Sequence, residues 1–337
     1  GQATTNTYDF YLVKTDANGS TQWANTYGTS NMDIANAVDV LANGNYMICG
    51  YTINPGNVYY DYAVVTNSSG AVQWQQQFGS ATADISYDGI GTVGSQTVMT
   101  GATYQTGDAN VNFIKANAIG ATNASAFLSL PGNQTAWAIK RTADGGYIVC
   151  GNSNSPTNGG YDIFLAKTDS NFNLTWQQHY GGVNNDYGYD VIESGSNFYV
   201  LGYYDTQTAS ALTVIKTDAS GNALWTKHPA RSFGDVGNSM IATSGGFMIC
   251  GYTNTNDKAN EMVMMKIDLN GDTIFTKHFG GSGNDAGFSI VPTSTGGFAM
   301  AGEYEKASNN EDMYVVRTDL SGNRSWGGKR PCHGRSV

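Results

Sequence analysis

Charge is scarce in this chain of 337 residues, since charged side chains make up 13% of it, about half the usual share. The 17 basic residues are outnumbered by 27 acidic ones, which gives a net charge of −10, and residues 1–328 contain no basic stripe. Such a surface repels a phosphate backbone rather than attracting it. We therefore expect no nucleic-acid partner.

Long apolar runs are also missing, because none reaches the 18 residues that a membrane span needs. Residues 1–6 show neither the charged nor the apolar region of a signal peptide. The polarity comes from Asn, Thr, Ser, Gln and 43 Gly, a composition common on secreted surfaces. We expect an extracellular or cell-surface monomer without membrane insertion, its signal peptide already removed, with a cytosolic protein as the alternative.

Cysteine is rare, and three of the four cysteines (Cys49, Cys150 and Cys250) occupy one slot in non-adjacent repeats of the chain. Equivalent slots that far apart exceed the roughly 7 Å Cα limit for a disulfide. The pattern predicts buried thiols that act as small apolar side chains. No spacing typical of a catalytic triad, a zinc site or a phosphate loop stands out, so we expect no catalytic residue, metal or cofactor.

What the sequence does contain is a hairpin motif repeated seven times, in its fullest form a basic residue, Thr-Asp, a turn with glycine and then tryptophan. The aromatic slot holds Trp23, Trp74, Ala124, Trp176, Trp225, Phe275 and Trp326, which are 49 to 52 residues apart. The turn aspartates are Asp16, Asp169, Asp218, Asp268 and Asp319. A period near fifty residues indicates a repeat architecture.

Each full repeat is predicted to form four antiparallel strands, A to D. In the first one, residues 33–41, 45–52, 59–66 and 71–78 are strand-like, and Asn43-Gly44 is a strong hairpin signal. Four-stranded units of this length stack radially as blades, whereas solenoid repeats usually carry one or two strands each. The sequence therefore predicts an all-β fold, a β-propeller of four-stranded antiparallel blades.

The blade count has two solutions. A C–D hairpin at residues 8–27 precedes six complete sets that begin at 33, 84, 134, 186, 235 and 285. We favour seven blades with one incomplete, and six blades with a surplus hairpin are the alternative. Residues 1–330 are predicted to be a single propeller domain, followed by a basic, non-repeat tail at 331–337.

The Thr-Asp-x-x-Gly-x-x-x-Trp hairpin resembles the strand C–D turn of pyrroloquinoline-quinone-type propellers, whose Asp, Gly and Trp dock neighbouring blades. The whole unit is similar to propeller repeats of large secreted proteins from Bacteroidetes-like bacteria, which are often exported by a type IX system. The resemblance covers residues 8–328 and implies a fold more than a function. The third occurrence of the hairpin departs from it, with Asn117, Ala124 and Gln134.

The repeated residues have structural and functional interpretations. We expect the tryptophans to pack between blades and the turn aspartates to accept backbone N–H bonds, with a ring of sugar-stacking platforms as the alternative for the tryptophans. A second acidic slot opens strand A at Asp33, Asp84, Asp186, Asp235 and Asp285. Ion pairs or loop caps are expected there, and a Ca²⁺ site is the sharper but less favoured alternative.

Tyrosines lie at or beside the variable B–C loops, where a rigid scaffold would present binding residues. They are Tyr59, Tyr60, Tyr104, Tyr161, Tyr203, Tyr204 and Tyr304. Tyrosine is a favoured anchor at protein and sugar interfaces, although these side chains could equally seal strand ends.

Three functions remain open. The favoured one is a non-enzymatic, secreted or surface-attached propeller that binds a glycan or a protein through the B–C and D–A loop face. The second is a hydrolase or lyase acting on polysaccharide, with carboxylates such as Asp205, Glu303 and Glu305; paired carboxylates in a cleft would support it. The third is a spacer domain of a larger surface protein.

Overall fold

The computed structural model describes residues 8–79, 83–104, 107–155, 159–205, 210–229, 234–253, 259–306 and 310–331. Within these ranges the regular structure is 26 β-strands and one short 3-10 turn, Val93–Ser95. None of the described helical structure is long and apolar enough to cross a membrane. The chain divides into two compact units, residues 1–157 with 164–179 and residues 158–163 with 180–337.

The first unit holds an amino-terminal hairpin, blades 1 and 2 and most of blade 3. The hairpin is β1 Phe10–Thr15 and β2 Thr21–Tyr27. Blade 1 is β3 Met32–Val40, β4 Tyr46–Ile53, β5 Tyr59–Thr66 and β6 Val72–Phe78. Blade 2 is β7 Asp84–Gly91, β8 Thr97–Thr103, β9 Val111–Ala116 and β10 Thr122–Leu128. Blade 3 is β11 Gln134–Arg141, β12 Tyr147–Ser153, β13 Asp162–Thr168 and β14 Leu174–Tyr180.

The second unit holds blades 4 to 6, together with residues 158–163. Blade 4 is β15 Tyr187–Ser194, β16 Asn197–Asp205, β17 Ser210–Thr217 and β18 Ala223–Lys227. Blade 5 is β19 Val236–Thr243, β20 Gly246–Thr253, β21 Glu261–Asp268 and β22 Thr273–Phe279. Blade 6 is β23 Asp285–Pro292, β24 Phe298–Lys306, β25 Asn310–Thr318 and β26 Arg324–Pro331.

Each blade is a four-stranded sheet in sequence order, and the amino-terminal hairpin is a separate two-stranded sheet. The predicted fold class is therefore confirmed as an all-β, six-bladed propeller. The observed count of six blades is the alternative stated above, and the favoured prediction was seven. The favoured count needed a blade completed around the hairpin, and in the described residues β1 pairs with β2 alone. The predicted starts of the six sets agree with the observed A strands to within one residue.

The C–D hairpins close on the motif aspartates. Asp16 Oδ1 accepts the N–H groups of Asn18 and Ser20 at 2.9 and 2.8 Å. The same pair of bonds forms at Asp169, Asp218, Asp268 and Asp319. A short side chain that bonds its own backbone favours a turn, so each motif specifies its hairpin locally.

The motif aromatics dock against the glycine of the following blade's C–D turn. The Trp74 ring lies so close to Gly120 that a Cβ there would be 2.7 Å from Trp74 Cδ2. Trp225 with Gly271, and Phe275 with Gly322, repeat this contact at 2.8 Å. Trp23 lies beside Gly70 in the same way, with Cε3 3.2 Å from the position of a Cβ there, and it also donates through Nε1 to the carbonyl oxygen of Ser68 at 3.2 Å. In these four cases the outer hairpin thus packs on the outer hairpin that follows it.

The core of each blade lies in strands B and C. Every residue of β12 is buried, whereas β10, a D strand, alternates between exposed and less exposed positions. Cys49, Cys150 and Cys250 are all buried, and none is in a disulfide. The single domain predicted over residues 1–330 stays a prediction. The predicted basic tail lies outside the described residues except for Pro331, the last residue of β26.

Candidate functional site

Each of the six A strands carries a β-bulge that leaves one residue unpaired with strand B. The bulge residues are Asn36, Tyr87, Trp137, Tyr189, Asn238 and Phe288. Bulges commonly redirect a side chain next to a binding or active site. The six positions are structurally equivalent but chemically varied, which is typical of a constant scaffold that presents a variable surface.

A glycine on strand B accompanies each bulge. A Cβ at Gly50 would overlap the carbonyl oxygen of Ile34, and one at Gly151 would overlap that of Thr135. Equivalent crowding by an A-strand carbonyl is found at Gly101, Gly202, Gly251 and Gly302. The bulge therefore requires glycine at this point, because the A-strand carbonyl passes directly over it.

In the first unit, aromatic side chains gather around two of the bulges. We call Tyr51, Tyr59, Tyr87, Tyr104 and Trp137 the unit 1 aromatic surface. The ring centroids of Tyr87 and Trp137 lie 4.2 Å apart, and those of Tyr51 and Tyr59 lie 5.7 Å apart. Tyr104 is 41% exposed and the other four are partly buried. The surface thus offers ring faces to solvent while its members support one another.

Burial and neighbouring phenols define the electrostatics of this surface. Burial, with smaller contributions from Tyr104, Tyr51 and Tyr59, raises the pKa of Tyr87 to about 12. The Trp137 Nε1–H donates to Asn152 Oδ1 at 2.5 Å, which fixes the plane of the indole. Tyr87 therefore stays a neutral hydroxyl at physiological pH, and Trp137 is held in one orientation.

The second unit carries a comparable set around Tyr189. We call Tyr161, Tyr187, Tyr189, Tyr203 and Tyr252 the unit 2 aromatic surface. The Tyr187 centroid is 6.1 Å from that of Tyr161 and also 6.1 Å from that of Tyr203. Burial, with smaller contributions from Tyr252, Tyr187 and Tyr203, raises the pKa of Tyr189 to about 12. All five side chains are partly buried.

Carboxylates border the unit 2 aromatic surface. Burial raises the pKa of Tyr187, and among the smaller causes are the nearby charges of Asp205 and Asp186. Burial likewise raises the pKa of Tyr252, followed by the effects of Tyr203 and Glu303. Planar rings beside acidic oxygens can hold a ligand that has both an apolar face and hydrogen-bond donors.

The seven tyrosines singled out in the sequence do not share one environment. Tyr59 and Tyr104 belong to the unit 1 aromatic surface, and Tyr161 and Tyr203 belong to the unit 2 aromatic surface. Tyr204 packs instead on the ring of His228 at 5.4 Å, and Tyr304 packs on Tyr314 at 5.6 Å. Tyr60 pairs with Thr52 and, as the neighbour of Tyr59 on an extended strand, faces the opposite side of the sheet.

Sequence reasoning missed six members of the two surfaces. Tyr87, Trp137, Tyr187 and Tyr189 are on A strands, whereas Tyr51 and Tyr252 directly follow the B-strand glycine. A usable signal exists, because each bulge residue lies three positions after the slot that opens strand A. That signal has meaning only once the pairing of strands A and B is known.

Three of the five aspartates that open strand A cap the preceding loop. All five are buried. Asp33 Oδ2 accepts the N–H of Thr29 at 2.6 Å, Asp186 Oδ2 that of Gly182 at 2.8 Å and Asp285 Oδ2 that of Gly281 at 2.6 Å. These bonds fix the D–A connection. Among the described residues no group of three or more His, Cys, Asp or Glu side chains could hold a metal ion.

The carboxylates considered for an enzyme have structural contacts of their own. Glu305 Oε2 accepts both the backbone N–H and the side-chain amide of Asn284, at 2.9 and 2.7 Å. Asp205 receives the side-chain amide of Asn184 on its backbone carbonyl, and its own N–H binds Asp186 Oδ1. Glu303 lies near Tyr252. Through its two bonds to Asn284, Glu305 therefore holds the loop that contains Asn284.

Comparison with solved structures shows the fold. The periplasmic gluconolactonase PpgL of Pseudomonas aeruginosa is similar over 96% of this chain and 92% of its own, with a TM-score of 0.59 and 13% identity. Sqt1 from Chaetomium thermophilum is similar over 89% of this chain and 72% of its own, with a TM-score of 0.51 and 11% identity. Both are propeller proteins.

No protein-family profile matches the chain. No curated protein matches it either. The propeller part of the resemblance drawn from the hairpin motif is thus confirmed, and its finer part, a secreted bacterial family with pyrroloquinoline-quinone-type repeats, stays a prediction.

Proposed function

We propose that this chain is a non-enzymatic, extracellular or cell-surface module that binds carbohydrate through its aromatic surfaces. One observation carries the proposal. In both units, bulged A strands present tyrosine or tryptophan rings beside tyrosines from strand B or the B–C connection. A packing role alone does not require the same bulge to carry Asn, Tyr, Trp and Phe in different blades.

The chemistry of the surfaces suits a sugar. The C–H face of a pyranose stacks on a tyrosine or tryptophan ring, and the polar edge of each aromatic residue can exchange hydrogen bonds with hydroxyl groups. The carboxylates of Asp205 and Glu303 near the tyrosines add hydrogen-bond acceptors. Few, well-placed polar groups among aromatic side chains are typical of small-molecule sites.

Nothing in the geometry favours the enzymatic alternative to the same degree. The similarity to a gluconolactonase is at 13% identity and concerns the fold, which hosts many functions. Glycoside hydrolysis uses two carboxyl groups roughly 5–10 Å apart on either side of the bond. Of the candidate acids, Glu305 is engaged in holding Asn284.

A glycan-array screen of the purified chain, with and without Ca²⁺, tests the proposal. We expect saturable binding to a subset of glycans. Two double variants are tested separately, Tyr87→Ala/Trp137→Ala in the unit 1 aromatic surface and Tyr187→Ala/Tyr203→Ala in the unit 2 aromatic surface, and we expect at least one of them to lose this binding. Phe127→Ala serves as the matched control, because Phe127 is a 42% exposed ring on a D strand.

Three results would count against the proposal. Absence of binding across a broad array would leave a protein partner or a spacer role. Glycan cleavage would establish a hydrolase or lyase. Binding that survives both double variants would exclude the aromatic surfaces as the site.

A further inference from the structure

One C-strand slot breaks the apolar pattern of the repeats. It lies four residues before the first position of the hairpin motif, which is a basic residue in the fullest form of the motif. In the hairpin and in blades 2 to 6 it holds Phe10, Val111, Ile163, Leu212, Met262 and Met313. Blade 1 has Asp61 there, with 0% exposure. A fully buried carboxyl group where every equivalent position is a large apolar side chain is costly, and such local departures tend to mark functional sites.

The neighbours of Asp61 depart from the repeat in the same direction. Ser86 Oγ donates to Asp61 Oδ1 at 2.5 Å, and Asn112 Nδ2 donates to Asp61 Oδ2 at 2.9 Å. The slot of Ser86 holds alanine or glycine in the other five blades, and the slot of Asn112 is mostly aromatic elsewhere. Three polar substitutions thus coincide at the contact of blades 1 and 2.

These two hydrogen bonds do not compensate for the burial of Asp61. Burial raises the pKa of Asp61 well above its usual range, and the nearby Asp84 carboxylate raises it further, against the lowering effect of Ser86 and Asn112. Among the described residues no positive charge contributes to this pKa, and a cation placed beside Asp61 would stabilise its ionised form.

Asp61 is one of the residues that line a cavity of about 660 Å³, although its own exposed area is 0%. Its lining includes Asp61, Asp84 and the rings of Phe78, Phe113 and Phe127. The cavity is also lined by Thr103 and Asn112, whose Oγ1 and Oδ1 atoms are buried without a hydrogen-bond partner. None of the described lining residues is Lys, Arg or His. The site offers two buried carboxyl groups, two polar atoms without partners and three phenylalanine side chains, of which Phe127 is the most exposed at 42%.

We propose that the cavity binds a small organic ammonium ion, with the ammonium group against Asp61 and the apolar body against the phenylalanine rings. The carboxylates supply the charge, and the phenylalanine side chains supply apolar surface for the body of the ligand. A bare metal ion would leave most of the volume and the three rings unused. The cavity shares no described lining residue with the unit 1 aromatic surface. Ammonium binding in the cavity is therefore independent of carbohydrate binding.

Isothermal titration calorimetry of the full chain with 2-phenylethylammonium and its neutral analogue 2-phenylethanol tests the proposal. We expect the ammonium ion to bind at least tenfold more tightly than the alcohol at pH 7.5. We also expect proton release on binding, because a bound cation lowers the pKa of Asp61; titrations in buffers of different ionisation enthalpy measure it.

Asp61→Leu restores the type of side chain found in the other blades, as Leu212 does in blade 4, so it keeps the fold while removing the charge. This variant should lose at least tenfold in ammonium affinity and keep its affinity for the alcohol; Asp61→Asn repeats the test with a polar isostere. Asp162→Asn is the matched control, since Asp162 is 2% exposed and does not line the cavity.

Equal affinity for the two compounds, binding of neither, or an equal loss in the Asp61→Leu and Asp162→Asn variants would each overturn the assignment.

Discussion

The rings of Tyr87 and Trp137 lie 4.2 Å apart, although they belong to neighbouring blades, because each is the unpaired bulge residue of its A strand. In regular register, consecutive side chains of an A strand alternate between the two faces of the blade, and the bulge interrupts this alternation. The bulge instead brings two adjacent blades into aromatic contact. The unit 1 aromatic surface is thus a product of strand pairing.

Removal of the indole at this contact should weaken ligand binding far more than folding. Trp137→Ala is expected to cost about 2 kcal/mol of binding free energy, roughly thirtyfold in Kd, as for a central aromatic anchor. Calorimetric titration with a glycan identified on the array measures it. Phe127→Ala should leave the Kd within about twofold. A loss shared equally by both variants would contradict a local role for Trp137.

The strand-B glycines should be essential for the bulge. Gly151→Ala places a Cβ against the carbonyl oxygen of Thr135, and such overpacking costs about 1–3 kcal/mol of unfolding free energy. Urea denaturation measures the change. The control is Gly56→Ala, whose new Cβ would meet only Asn54 Oδ1 at 3.3 Å and should change stability by less than about 0.5 kcal/mol. If Gly151→Ala changed the unfolding free energy as little as Gly56→Ala does, the carbonyl of Thr135 would be able to move aside.

The docking of Trp74 on the next blade should contribute strongly to stability. Trp74→Ala removes the ring that packs on Gly120, and we expect a loss of about 3 kcal/mol in unfolding free energy. Ile119 lies beside Gly120 and is 78% exposed, so Ile119→Ala should cost less than about 0.5 kcal/mol. Chemical denaturation of the two variants decides the matter. A small effect of Trp74→Ala would mean that the blades associate mainly through their inner strands.

One ion pair gives the protein a defined acid sensitivity. Lys167 Nζ lies 2.8 Å from Asp144 Oδ2, and hydrogen bonds from Lys167 and Thr142 hold the pKa of Asp144 well below its usual range. A depressed folded-state pKa stabilises the fold above the unfolded pKa of about 4, and the contribution is lost as pH falls through the folded value.

The Asp144 side chain is 66% exposed, so solvent screens the pair and the contribution at pH 7 should be about 1 kcal/mol. Asp144→Asn should therefore be less stable than the parent protein at pH 7 and approach it below pH 4. Thermal unfolding across this pH range is the measurement. A difference that stays constant down to pH 2 would contradict the assignment.

Asp61 should produce the opposite pH dependence. Because burial raises its folded-state pKa, its contribution is fully present below the unfolded pKa of about 4 and is lost as pH rises through the folded value. Asp61→Leu should thus gain stability relative to the parent protein between pH 4 and pH 8, by about 1–4 kcal/mol as for other buried charges replaced by apolar groups. The quantity to compare is the unfolding free energy of Asp61→Leu minus that of the parent protein. A smaller difference at pH 8 than at pH 4 would contradict the prediction.

The fold could be predicted from the sequence because its determinants are local and repeated. Asp16 closes its own hairpin through bonds to residues two and four positions later, and a period of about fifty residues repeats that hairpin. The count of six blades did not follow, since the Phe10–Tyr27 hairpin has the same local pattern as a complete blade's outer half.

The candidate sites depend on non-local geometry and were therefore harder to predict. Tyr189 reads as an ordinary strand residue until the register shift between Gly188 and Asp190 is known. Asp61 lies in a segment correctly read as a strand, yet its burial beside Ser86 and Asn112 comes from the packing of blade 1 on blade 2. Tyr204 is conspicuous in the sequence beside a variable loop, but it lies in β16 and its ring packs on His228, the residue directly after β18.

The most direct test of carbohydrate binding observes the Trp137 indole itself. In a chain labelled with ¹⁵N at tryptophan, the Nε1–H signal of Trp137, identified through Trp137→Phe, is followed by NMR during titration with an array-selected oligosaccharide. If carbohydrate binds at the unit 1 aromatic surface, we expect a saturable shift of this signal and no movement of the Nε1–H signal of Trp74. A Trp137 signal that stays unchanged at saturating ligand would contradict it.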